Sequence, residues 1–129
     1  MARIARWMPV AALVALALIP RTGQAQVYQA HELTEPPAVK SAQEAQRLIL
    51  RSYPRALRDN GIGGRVQVRF VVTSSGSVDP ASIEVVAASV KALGEAATKA
   101  IEDLTFEPGK KDGAPVSSVV VMPITYGVS

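Results

Sequence analysis

The stretch 65–73, RVQVRFVVT, alternates without a break. Val66, Val68, Phe70 and Val72 fall on one side, and Arg65, Gln67, Arg69 and Thr73 on the other. A two-residue period of this kind marks a β-strand with one covered face and one wet face. The chain must supply a cover for that single face, and 91–104 has the pattern for it. Leu93, Ala96, Ala97, Ala100, Ile101 and Leu104 recur there at helical spacing and make one apolar stripe. Gly94 weakens this helix by about 1 kcal/mol relative to alanine.

The flanking segments extend the pattern. Ser41 and Glu44 have the spacing of a capping box, and Ala45, Leu48 and Ile49 follow as the apolar side of a helix over 41–52. Tyr53-Pro54 interrupts it, because a residue before proline avoids the α region, and Pro54 can open a short helix over 54–59 that Asn60-Gly61 stops. Gly61, Gly63 and Gly64 read as a turn. They are no phosphate loop, since no strand precedes them and no Gly-Lys-Ser/Thr follows. Residues 74–77 connect a hairpin, and 78–88 return as a second strand that Pro80 loosens at its start. Phe106 and Pro108 close the long helix, and 110–115 form an exposed loop. A last strand over 119–126 then places Val120, Met122, Ile124 and Tyr126 on one face. The expected fold is α+β: a three-stranded antiparallel sheet in the order second-first-third, with helices packed on one face. Pro123 has no N–H to give a ladder, so the last strand belongs at an edge with that position turned outward.

Residues 1–25 read as a signal peptide. Arg3 and Arg6 precede an apolar run over 8–19, Pro20 breaks it, and Gly23 and Ala25 are small residues at the cleavage positions. The run is short for a membrane span, although retention as a single-pass inner-membrane anchor is the alternative. Of the 14 basic residues, Arg3, Arg6 and Arg21 fall in this segment and no acidic residue does, so the remainder carries 11 of each sign. The basic pI of about 9.5 belongs to the leader and gives no ground for nucleic-acid binding. A chain with no cysteine has no disulfides, thiol catalysis or lipid-anchored cysteine, and must rely on an ordinary core. Residues 26–40, polar and proline-bearing, read as a flexible lead-in, and 41–129 as the folded domain.

Tyr53-Pro54, then LRDNGIGGRVQVRFVVTSSGSV, then a helix leading into LTFEPGKKDGAPVSSVVVMPITY, resembles the C-terminal domain of TonB energy transducers. The likeness covers about residues 50–127. It rests on the Tyr-Pro before a short helix, the GxVxVxFxVxxxGxV hairpin, the FEP after the second helix and the V-x-x-P-I-T-aromatic end. The resemblance implies a domain that links an inner-membrane, proton-driven motor to outer-membrane receptors. It would capture a peptide from the receptor's N-terminus as an added strand, using neither cofactor nor metal. Carried over by position, the peptide-binding residues would be Ser117, Val119, Val121, Pro123 and Thr125, with Tyr53 and Pro54 nearby. Two departures stand out. The run 8–19 has no histidine of the kind that engages the motor, and 26–40 is far shorter than a spacer that crosses the periplasm. Periplasmic binding is implied; energy transduction by this chain alone is not.

Each candidate also has a plainer reading. The strand 119–126 could be structural only, or could pair with its counterpart in a homodimer, since it carries no charge to discourage self-pairing. Tyr53-Pro54 reads as a helix break with a packed ring before a contact. His31, near Glu32 and Glu35, reads as a solvated loop residue before a metal ligand. Lys110, Lys111 and Asp112 read as an exposed loop before a steering patch. Glu102 and Asp103 are helix neighbours that do not face each other, so no acid–base pair is formed and the chain reads as non-enzymatic.

Overall fold

The computed structural model describes residues 26–127; the segment read as a signal peptide lies outside them. In chain order the elements are β1 (Val27–Tyr28), β2 (Ala38–Val39), α1 (Ala42–Ser52), α2 (Arg55–Asp59), β3 (Gly64–Val72), β4 (Glu84–Ala88), α3 (Lys91–Glu102), β5 (Phe106–Glu107), β6 (Gly109–Lys111) and β7 (Ala114–Tyr126). β3 lies at the centre of the main sheet, antiparallel to β4 on one side and to β7 on the other. Its inward residues Val66, Val68, Phe70 and Val72 are all buried, and Leu93, Ala97 and Ile101 of α3 cover them. The Phe70 and Phe106 rings meet at 5.7 Å in a tilted pair at the heart of this layer. Burying each large apolar side chain contributes about 1.5–3 kcal/mol.

The sheet has five strands where three are expected. The predicted three are neighbours within it, and β1 and β6 both add to β7. β6 arises because Asp112 and Gly113 take positive φ of 52° and 85°, the backbone of a two-residue hairpin turn. The turn pairs Lys111 with Ala114, so β7 begins at Ala114 rather than at 119. The second predicted strand is shortened at its start. Asp79 accepts a hydrogen bond from the Ala81 amide at 3.1 Å, Pro80–Ser82 form a 3-10 turn, and regular pairing starts at Glu84. A bulge at Val86, opposite Gln67 and Val68, then kinks β4.

Local details of the helices follow the sequence closely. Ser41 Oγ accepts from the Glu44 amide at 3.1 Å, but the Glu44 carboxylate turns to Arg47 at 3.1 Å instead of closing the box. Gly94 is where α3 approaches β4: a Cβ there would stand 3.3 Å from Val85 Cγ1. Its cost to the helix is offset by that close packing.

The lead-in is docked rather than loose. β1 runs parallel to β7, pairing Val27 with Ser117 and Tyr28 with Ser118. Lys110 and Glu35 exchange main-chain hydrogen bonds at 2.9 and 3.1 Å, and Lys111 Nζ donates to the Glu32 carbonyl at 3.3 Å. β2 completes the attachment by pairing with β5.

Candidate functional site

Main-chain direction along β7 follows from the hydrogen bonds of β3. In a strand, each residue turns its N–H and C=O to the same side, and successive residues alternate. The Arg65 carbonyl accepts from the Ser89 amide at 3.0 Å, and the Arg65 amide donates to Ser89 Oγ at 3.0 Å. Likewise the Val71 amide donates to Ser82 Oγ at 2.8 Å, and its carbonyl accepts from the Asp79 amide at 3.0 Å. These residues face the β4 side, so Gly64, Val66, Val68, Phe70 and Val72 face β7. Their register partners there are Tyr126, Ile124, Met122, Val120 and Ser118. The intervening residues Val119, Val121, Pro123 and Thr125 therefore turn their main-chain groups to the far side. Pro123 sits where a missing N–H leaves the β3 ladder intact.

Among the described residues, no strand pairs with that far side over 119–126. At Ser117 and Ser118 the side is already taken by β1. Ser117 is therefore filled by the chain's own backbone, and the open stretch starts at Val119. Two hollows flank it. On the helix side a groove of about 400 Å³ runs between α1 and β7, lined by Val39, Ala42, Ala45, Ile49, Leu50 and Met122 among others. Leu50 is 54% exposed there. On the outer face a concavity of about 560 Å³ is lined by Arg65, Gln67, Ala87, Pro123 and Thr125.

Tyr53 lies in the core. It is 5% exposed, its hydroxyl donates to the Ile62 carbonyl at 2.6 Å, and its ring packs 5.1 Å from Tyr126. Pro54 caps α2 instead of entering its first turn. The pair props the end of β7 from below. Tyr126 also shares a 2.8 Å hydrogen bond with Ser52 Oγ; burial pushes its hydroxyl above the ordinary tyrosine range, and the Ser52 bond partly opposes this. His31 sits on an exposed 3-10 turn, Ala30–Glu32. Sequence reasoning missed the α1–β7 groove, which depends on how a helix lies across a sheet. It also missed Ser118, whose buried Oγ has no hydrogen-bond partner among the described residues.

The family model for the Gram-negative bacterial TonB protein C-terminal region matches residues 50–128. The chain belongs to the TonB C-terminal family. A solution NMR structure of the Pseudomonas aeruginosa TonB C-terminal domain is similar at 28% identity and a TM-score of 0.51, over 60% of this chain and 77% of that one. The Helicobacter pylori TonB C-terminal domain, at 26% identity, covers 67% of this chain and 79% of its own with a TM-score of 0.42. A search of curated proteins found no match. TonB C-terminal domains are interaction modules of envelope transport rather than catalysts, and the family engages outer-membrane receptors in general. Among the described residues, no helix is long and apolar enough to cross a membrane.

Proposed function

We propose that this TonB-family domain works in the periplasm, after removal of residues 1–25, and captures an extended receptor peptide as a further strand on β7. The observation that carries this reading is the side of β7 that no strand among the described residues pairs with over 119–126. Unpaired N–H and C=O groups on a long edge are satisfied by another backbone, and a peptide laid there gains about 0.5–1.5 kcal/mol per hydrogen bond. β1 supports the reading from within the molecule, because the same side already holds a strand at Ser117 and Ser118.

The β4 edge is a poorer host, being short and bulged at Val86, and bulges discourage pairing. Titrating peptides from the N-termini of outer-membrane receptors into isotope-labelled protein should shift the amides of 119–126 first. Shifts confined to β4 or to the helices would overturn the assignment. Self-pairing of two β7 edges is the competing use of this surface. Sedimentation over a dilution series checks it: a peptide that binds β7 should dissociate any dimer built there.

A further inference from the structure

Residues 26–40 are held to the domain by hydrogen bonds, with little burial behind them. The Thr34 and Glu35 amides both donate to the Lys110 carbonyl, at 2.8 and 3.1 Å. The Thr34 hydroxyl donates to the same carbonyl at 2.8 Å and accepts from the Asp112 amide at 3.0 Å, in the turn between β6 and β7. The Lys40 amide donates to the Thr105 carbonyl at 3.0 Å, and Lys111 Nζ lies 5.6 Å from the centre of the Tyr28 ring. Yet no residue of this segment is fully buried. Surface main-chain bonds with few buried apolar contacts mark the parts of a fold that open first.

The seat beneath the segment is imperfect at one atom. Ser118 is fully buried, and its Oγ has no hydrogen-bond partner among the described residues. Leu33 and Pro37 lie beside it. A Cβ placed on Gly109 would stand 2.9 Å from Leu33 Cδ1, 3.0 Å from Ser118 Oγ and 3.2 Å from Pro37 Cδ. Two carbon side chains of the segment and the hydroxyl therefore crowd around one glycine, which has no side chain to hold them apart. Closing the segment over Ser118 strips water from the hydroxyl and supplies no bond in return, whereas opening it restores the water.

We infer that residues 26–40 are a strap that opens as a unit while the rest of the domain stays folded, with Ser118 weighting the balance against the closed position. The main-chain bonds favour closure, and the buried hydroxyl opposes it. Opening frees the flank of β7 that β1 holds at Ser117 and Ser118. It also lets the released segment extend to at most about 50 Å. The equilibrium needs no guest strand and stands independently of peptide capture.

Native-state hydrogen exchange reads the opening directly. The amides of Thr34, Glu35, Lys40, Lys110 and Asp112 should exchange as one group, about a hundredfold or more faster than those of Val66 and Val68 in β3. Their rates should also depend far less on added denaturant, because a small opening exposes little surface. Ser118→Ala removes the hydroxyl and should slow the group roughly five- to fiftyfold, the opposite of what loss of a stabilising contact would do. Gly109→Ala drives a methyl group among Leu33, Pro37 and Ser118 and should speed the group about tenfold or more. Thr34→Val, at an exposed position, removes two bonds and should speed it about five- to tenfold even where the alanine at 109 prevents folding. Exchange of the five amides in step with β3 overturns the strap, since the segment would then open only with the whole domain. A Ser118→Ala variant that exchanges as fast as the native chain, or faster, overturns the part given to the hydroxyl.

Discussion

Tyr126 concentrates several constraints at one position. It ends β7, packs on the Tyr53 ring and shares a hydrogen bond with Ser52 across α1. Its pKa is raised by burial, so the folded state holds the phenol proton more tightly than the unfolded chain. The stabilisation is complete below the unfolded value, about pH 10, and is lost as pH rises through the folded one. Denaturant midpoints measured from about pH 9 to 11 should therefore fall more steeply for the native chain than for Tyr126→Phe. At neutral pH the same substitution should cost about 1 kcal/mol through the lost Ser52 bond. Tyr53 shows where sequence reading stops at this scale. That a residue before proline leaves the helix was legible; that its hydroxyl would reach the Ile62 carbonyl depends on the path of the turn through Asn60 and Gly61.

At the scale of elements, β7 contains two interleaved sets of amides that one probe can separate. The Val121 amide points away from β3, while the Met122 amide is used in the β3 ladder. Val121→Pro should alter stability by about 1 kcal/mol or less, as Pro123 is already tolerated two residues along, yet weaken peptide binding by up to about tenfold. Met122→Pro should cost about 2–3 kcal/mol by leaving a buried carbonyl unpaired. Chemical denaturation and peptide titration on both variants check the contrast. The alternation of β3, the stripe of α3 and the outward placement of Pro123 were all legible, because each follows from local periodicity or from a missing donor. The start of β7 was legible too in Asp112-Gly113, a strong hairpin dipeptide, although the expected loop over 110–115 left it unused. The docking of 26–40 was not legible. Its attachments at Glu35, Lys40 and Val39 are main-chain bonds to residues far along the chain, and main-chain bonds leave no period in the side chains.

For the molecule as a whole, one layer of side chains joins everything that positions β7. Phe70 of β3 and Phe106 of β5 meet under α3, and the Phe106 amide donates to the Gly76 carbonyl at 2.8 Å, tying the first hairpin to the second. Phe70→Ala should cost about 3–5 kcal/mol, a large share of the roughly 5–15 kcal/mol available to a small domain. A single cooperative thermal transition shifted to lower temperature is expected, and a separate early melting of β7 would show that the layer is not shared. The position of β1 has a mechanical consequence. It lies along the same flank of β7 that, among the described residues, takes no strand from Val119 onward, so a captured chain and the domain's own leading segment would sit end to end on one rail. Tension between them would travel lengthwise down β7, loading its bonds together in shear, where a tug from the opposite border would peel them apart one at a time.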